Sequence, residues 1–446
     1  MHAFQKAMRS LPVLLAALLA LSGCTIPSGD DLLAAPKPSK NYQTLQAELE
    51  KILTTKIYSA PVSGENRSTI QLVDIDSDGT EEAISFFRES ANSNEFTVYV
   101  HKKKDDAYVL TGSVTGTGTA IQSVDYPVIS PDGRRGMVIA WKLTGDGLGA
   151  VTMCDFDASG APSVLLETEY SAMELTDLTG NGAKDLLLIG SDPTGKRVAR
   201  LYQYLNGELL LAGEAATNQE AVTILRMSSG RVKGSLPAVF AEEKTESGIG
   251  LMTDIFVYAD GTLHNLALDS EDSTNRGTYR PISVYAADCN GDGEIELPRA
   301  VLMAGYTDAA ASDAIFMVDW YSYGVEGQPE RVKTTYNNVS EEWSFVIDDA
   351  WHDQITATKS SDTGLSAVHF YQYLGEDRRL PLFSIYCATG TLSDYYASRS
   401  DLIQLAETSR AVYFARLDEG ASQSSMAIDA DGVRARFSLV TQDWNN

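Results

Sequence analysis

A two-residue turn that returns about every 54 residues sets the strongest limit on what this 446-residue chain can become. It reads clearly where Asn206-Gly207 divides Leu201–Leu205 from Glu208–Leu211. It reads again where Asp260-Gly261 follows Ile255–Ala259, and where Asp431-Gly432 follows Met426–Ala430. Asn-Gly and Asp-Gly supply the positive φ angles of a tight hairpin. Weaker versions stand near Asp105, Ser159-Gly160, Glu326-Gly327 and Gly375-Glu376. The seven turns fall near 105, 159, 206, 260, 326, 376 and 431, so successive gaps are 54, 47, 54, 66, 50 and 55 residues. From about residue 67 onward, Thr, Val, Tyr and Ile form short runs broken by turn residues, and no long helical period competes with them.

A second repeat is an aspartate-rich loop between apolar runs. Asp74, Asp76, Asp78, Gly79 and Glu82 form the first copy, and Asp177, Thr179, Asn181, Gly182 and Asp185 the second. Asp288, Asn290, Asp292, Gly293 and Glu296 form the third. Their first aspartates are 103 and 111 residues apart, about two hairpin periods each. Worn copies occur at Asp132-Gly133 and Asp348-Asp349. Seven units of this size, each with several short strands, predict an all-β fold: a seven-bladed β-propeller of four-stranded antiparallel blades over residues 67–446. Six or eight blades remain open, and a two-domain β-sandwich is the structural rival.

Each loop offers oxygens at positions 1, 3, 5 and 9. A carbonyl at position 7 (Thr80, Ala183 and Glu294) would complete a shell of hard donors suited to Ca²⁺. Position 12, where an EF-hand needs Glu, holds Ser85, Leu188 and Arg299, so these are not EF-hands. Four carboxylates make the first loop the strongest expected site and two make the second the weakest. The strand–DxDxDGxxD–strand pattern resembles the VCBS/FG-GAP repeats of integrin-type propellers, and with the N-terminus described next it is similar to secreted lipoproteins of gut Firmicutes. That resemblance implies a calcium-stiffened propeller used for extracellular recognition.

The N-terminus reads as an address. Lys6 and Arg9 precede an apolar run, Leu11–Leu21, too short to span a bilayer. The following Ser22-Gly23-Cys24 resembles a lipobox, which makes residues 1–23 a removable signal and Cys24 the lipidated first residue of an exported, membrane-anchored protein. Residues 24–40 read as a tether. Tyr42, Leu45, Leu49, Ile52 and Leu53 predict an amphipathic helix over 41–56 that packs on the main domain.

Charge supplies exclusions. The chain carries 61 acidic and 35 basic residues, a net charge of −26 that becomes −28 without the signal. Such a surface argues against nucleic acid and against a polybasic grip on lipid. Three bound Ca²⁺ ions would bring the charge to −22. Cys154, Cys289 and Cys387 read as free thiols.

Catalytic signals are weak. Gly190–Arg197 nearly matches a P-loop but lacks the final Ser/Thr and leads into a strand rather than a helix. His352, among Asp348, Asp349 and Asp353, reads as part of a worn blade loop. Trp320–Tyr323 and Tyr395-Tyr396 are candidate sugar-stacking surfaces, or simply strand residues. The sequence therefore points to a non-enzymatic, monomeric recognition module for a protein or glycan at the cell envelope. The alternatives are an envelope polysaccharide lyase or glycosidase on the same scaffold, and an envelope assembly scaffold.

Overall fold

The computed structural model describes residues 40–440, except 106, 146, 246–247, 249, 270–273, 308–312, 327 and 376–377. The signal, Cys24 and the tether up to residue 39 lie outside the described residues. The helix expected next is present as α1, Lys40–Leu53. No helix among the described residues is long and apolar enough to cross a membrane.

Among the described residues, twenty-seven strands form six antiparallel sheets. The first contains β1 Ile57–Tyr58, β2 Ile70–Val73, β3 Glu82–Arg88, β4 Glu95–Lys104 and β5 Ala107–Thr117. The second contains β6 Ala120–Asp125, β7 Met137–Lys142, β8 Gly149–Phe156 and β9 Pro162–Tyr170. The third contains β10 Ala172–Thr176, β11 Asp185–Ser191, β12 Arg197–Leu205 and β13 Glu208–Ala216. The fourth contains β14 Ala221–Val232, β15 Leu236–Thr245, β16 Leu251–Ala259 and β17 Thr262–Asn265. The fifth joins β18 Leu297–Leu302, β19 Phe316–Ser322, β20 Glu330–Asn338 and β21 Trp343–Ile347 to the last described strand, β27 Phe437–Leu439. The sixth contains β22 Ile355–Asp362, β23 Leu365–Tyr373, β24 Arg379–Thr389, β25 Ile403–Glu407 and β26 Ala411–Leu417.

At six of the seven expected turns the flanking strands pair antiparallel. Asn206-Gly207 and Asp260-Gly261 have positive φ at both residues, which matches the twist of the strands they join. A bulge precedes five of the six turns by about five residues, at Val100/His101, Met153/Cys154, Leu201/Tyr202, Trp320/Tyr321 and Phe370/Tyr371. The seventh turn is a correction. Asp431-Gly432 lies in helix α3, Ala430–Arg436, because Asp429 caps that helix by accepting the Gly432 N–H at 2.8 Å. The seventh unit thus builds no sheet of its own. Its strand β26 pairs with the free edge of β24, from Phe383↔Leu417 to Thr389↔Ala411, while β27 crosses to β21 in the fifth sheet. Both pairings satisfy edge groups that would otherwise be bare.

Consecutive sheets stack through shared cores. In β7, Met137, Ile139 and Trp141 face the first sheet, and Val138 faces the third. In β11, Leu186 and Leu188 face the second sheet, and Leu187 and Ile189 the fourth. Side chains alternate across a strand, so a central strand buried on both sides becomes an unbroken apolar run. Cores of the same kind join the fourth to the fifth sheet and the fifth to the sixth. Among the described residues no apolar core joins the sixth sheet back to the first. Instead Leu45 and Leu49 of α1 pack on Ala83, Phe87 and Tyr108 of the first sheet. Helix α2, Thr391–Ala397, lays Tyr396 on Phe414 of the sixth at a ring separation of 4.6 Å.

Candidate functional site: the aspartate loops

The three aspartate loops share one hydrogen-bond scaffold. The position-1 carboxylate accepts the N–H of the position-6 glycine: Gly79 to Asp74 at 3.1 Å, Gly182 to Asp177 at 2.8 Å, Gly293 to Asp288 at 2.9 Å. The position-7 N–H donates to position 5 at 2.8 Å each time: Thr80 to Asp78, Ala183 to Asn181, Glu294 to Asp292. The position-9 acid accepts the N–H of position 2: Ile75 to Glu82, Leu178 to Asp185, Cys289 to Glu296. Gly79, Gly182 and Gly293 have φ of +85°, +88° and +85°, where a Cβ would be strained. Residues chosen for their oxygens therefore also hold the turn.

The position-9 acids sit deepest. Glu82, Asp185 and Glu296 are almost wholly buried at the start of the following strand. Burial pushes the Glu82 carboxyl up to about 7, with Asp76 and Asp78 adding to the shift, and it raises Asp185 and Glu296 in the same direction.

Beyond this scaffold the loops differ. In the first, Asp74, Asp76 and Asp78 bring one carboxylate oxygen each within 4.8 Å of one another, the one such group of three among the described residues. Asp74 Oδ1 and Glu82 Oε1 are buried without a hydrogen-bond partner. Buried carboxylate oxygens left bare are costly, and a bound cation is one way to satisfy them, so the donor set fits a hard metal ion. In the second loop, Thr179 turns its hydroxyl onto Asp185 at 3.0 Å and receives Gln203 Nε2 at 3.1 Å. In the third, Asn290 Nδ2 donates to Asp292 at 2.9 Å, and Glu294 turns away to accept the Ser235 N–H of the fourth sheet at 2.8 Å. Its carboxylates do not gather as those of the first loop do.

The first two loops border one cavity of about 1150 Å³. Asp74 and Ser77 line it from the β2–β3 loop, Gly133 and Arg135 from the β6–β7 loop, and Asp177 and Lys184 from the β10–β11 loop. Ser77 Oγ donates to the Gly133 carbonyl at 3.2 Å and Lys184 N to the Val128 carbonyl at 2.7 Å, tying the three loops together. Glu65, Glu81 and Asp125 also line the wall, so carboxylates outnumber cations. Burial raises the Asp125 carboxyl, and nearby Glu65 adds to it.

Other sequence candidates resolve differently. Trp320 and Tyr323 are buried and unavailable for stacking on a sugar, and Trp320 Nε1 donates to Thr335 Oγ1 at 2.7 Å. Tyr395 is exposed on α2. Gly190–Arg197 runs from β11 into β12, a strand where a phosphate loop needs a helix. His352 Nε2 lies 3.1 Å from Asp319 Oδ1 and its Nδ1 2.9 Å from Asp353 Oδ1, the first of these partners being invisible from its neighbours in sequence. Cys154, Cys289 and Cys387 are free thiols. Lys102 and Gln203 were also missed, although both stand three residues before a hairpin turn; lining the units up on those turns exposes them.

No family model and no curated sequence matches the chain. Solved structures with partial likeness include a Dos1 propeller, at 11% identity and a TM-score of 0.27 over 80% of each chain. Another is the exotype rhamnogalacturonan lyase YesX, at 11% identity and a TM-score of 0.24 over 71% of this chain and 74% of that one. A third is an exo-β-1,3-galactanase from Phanerochaete chrysosporium, at 13% identity and a TM-score of 0.24 over 82% and 90%. They include enzymes and a protein named only for its fold, and at these TM-scores none of their functions transfers to this chain.

Proposed function

We propose that this protein is an exported recognition module of the cell envelope, held to the membrane by a lipid on Cys24 and stiffened by Ca²⁺ in its aspartate loops. The observation that carries the reading is the cavity where three blade loops meet. Its wall of carboxylates, with Arg135 and Lys184 interspersed, suits a ligand rich in hydroxyl or cationic donors, such as a glycan or a basic protein segment. Calcium would be held by Asp74, Asp76, Asp78 and Glu82 in the first loop, by Asp177, Thr179, Asn181 and Asp185 in the second, and by Asp288, Asn290, Asp292 and Glu296 in the third. The position-7 carbonyls of Thr80, Ala183 and Glu294 would complete the shells. The ion's part is structural, pinning the turn between two strands. The VCBS/FG-GAP resemblance and a radially closed propeller belong to this same reading.

The test combines a glycan array with crosslinked pull-down from whole cells, using the wild type and Asp125→Asn. A glycan or a constant protein partner lost in the variant supports the cavity as the ligand site. A ligand retained by the variant removes that assignment. Cys24→Ala should move the protein out of the membrane fraction, and unchanged partitioning would refute the anchor.

One observation favours a second reading. Asp125, half-buried near Glu65 in an open cavity, keeps its proton to higher pH than an ordinary carboxyl, as a proton donor in polysaccharide cleavage must. Turnover of an envelope polysaccharide by the purified protein would replace recognition with catalysis.

A further inference from the structure

The first loop already contains a cation of its own. Lys102, near the end of β4, places Nζ in contact with Asp76 Oδ2 and 3.1 Å from Asp78 Oδ2. Its side chain is only 18% exposed. The stem is held from the next sheet as well: a Cβ on Gly160 would lie 2.9 Å from Lys102 Cδ, so a glycine at the β8–β9 turn leaves room for the lysine to pass. Thr111 Oγ1 fixes that turn by donating to the Gly160 carbonyl at 2.8 Å. The lysine is built into its position rather than draped over an acidic surface.

Among the described residues the other loops lack this arrangement. At the matching position in the third sheet stands Gln203, a neutral amide that donates to Thr179. Lys333 approaches the third loop from β20, but its ammonium meets the backbone carbonyl of Cys289, not a carboxylate. Meanwhile Asp74 Oδ1 and Glu82 Oε1 stay buried and unpartnered beside the lysine, so the ammonium satisfies only part of the donor set.

We propose that Lys102 is the resident counter-ion of the first aspartate loop, and that calcium enters this loop only by displacing it. The inference rests on the calcium reading of the loops. The loop with four carboxylates then binds calcium more weakly than its charge count implies, because the ion must release a charge-assisted pair as it binds. The first loop keeps its shape at low calcium, and the metal adds to an order already present.

The experiment uses the full mature chain with Asp177→Asn and Asp288→Asn, which leaves the first loop as the intact one. Calcium binding is measured by calorimetry with Lys102 present and with Lys102→Gln, the residue found at the matching position. Thermal unfolding of both is recorded in EDTA and in calcium. The expected result is a gain in affinity of about tenfold or more in Lys102→Gln. That variant should also melt lower than its parent in EDTA and at least as high in calcium. Equal affinity in the two proteins overturns the lysine proposal and leaves the calcium reading intact. Absence of binding in both, with no calcium-dependent melting, overturns the calcium reading of this loop and the proposal with it. Asp74→Asn added to the glutamine variant must abolish the gained binding; if it does not, the ion lies elsewhere and the proposal fails.

Discussion

Arg280 Nη2 lies 2.5 Å from Glu242 Oε2, and both side chains are completely buried. The guanidinium also donates to Thr253 Oγ1, while the carboxylate accepts the Ala286 N–H. This pair ties the segment before the third aspartate loop to the fourth sheet. Removing one partner leaves the other buried without its counter-ion, so Arg280→Met should cost about 3–5 kcal/mol. Denaturant unfolding checks this. The double variant Arg280→Met/Glu242→Leu should recover much of the loss, since two apolar groups leave no orphaned charge.

Glu243 sits beside that pair with neither oxygen hydrogen-bonded, Arg197 Nη2 being 3.2 Å from Oε1. Burial raises its carboxyl well above the usual range, Asp254 adds to the shift, and Arg197 only partly opposes it. The folded state therefore binds the proton more tightly than the unfolded chain. Between the unfolded value near 4.5 and the raised folded value, this group's contribution to stability falls as pH rises. Relative to wild type, Glu243→Gln should gain stability as pH increases from 5 to 8 and show little advantage at pH 4. A difference in unfolding free energy that is flat with pH would contradict this.

Calcium should raise the melting temperature of the mature protein and EDTA should lower it. At free calcium one hundred times a site's dissociation constant, that site adds about 2.7 kcal/mol. Asp288→Asn should remove part of the calcium-dependent rise without changing the melting temperature in EDTA by a comparable amount. Differential scanning calorimetry at several calcium concentrations decides it.

Gly213 in β13 marks a close approach between the third and fourth sheets. A Cβ there would lie 2.6 Å from Leu263 N and 2.8 Å from Leu263 Cβ. Because the obstacle is backbone, Gly213→Ala should destabilise by about 1–3 kcal/mol. Gly207→Ala, with open space around its Cβ but φ +93°, tests strain without crowding.

Helix α1 covers the outer face of the first sheet. Replacing Leu45 and Leu49 by Ala should cost about 2–5 kcal/mol each, near the upper end if no side chain moves in to fill the gap. Sedimentation should also show self-association once that apolar face is bared. A monomer of unchanged stability would mean the helix is dispensable.

Local chemistry was legible in the sequence, and long-range pairing was not. Asn206-Gly207 and Asp260-Gly261 carry their φ requirements in two residues, so the turns could be placed directly. The Asx contacts of the aspartate loops span at most seven residues, so their shared form could be read too. Asp431-Gly432 misled because the same dipeptide serves a helix start when Asp429 stands ahead of it. That β21 pairs with β27, and β26 with β24, depends on which edges are free after folding, a property no segment carries by itself. Lys102 escaped for the same reason: it meets Asp76 across 26 residues of chain, and its charge reads as ordinary surface until strand register sets it there.

The fifth sheet is bordered on one side by β27, whose pairing of Trp343 with Leu439 joins residues almost one hundred positions apart. Order of synthesis and order of completion therefore part company. A chain emerging from the ribosome can finish its first four sheets as it grows. The fifth must wait, with the β21 edge open, until residues 437–439 have been made. Loss of β27 would thus bare the β21 edge of the fifth sheet while leaving the strand pairings of the sixth intact, and β27 acts as a latch on the fifth sheet.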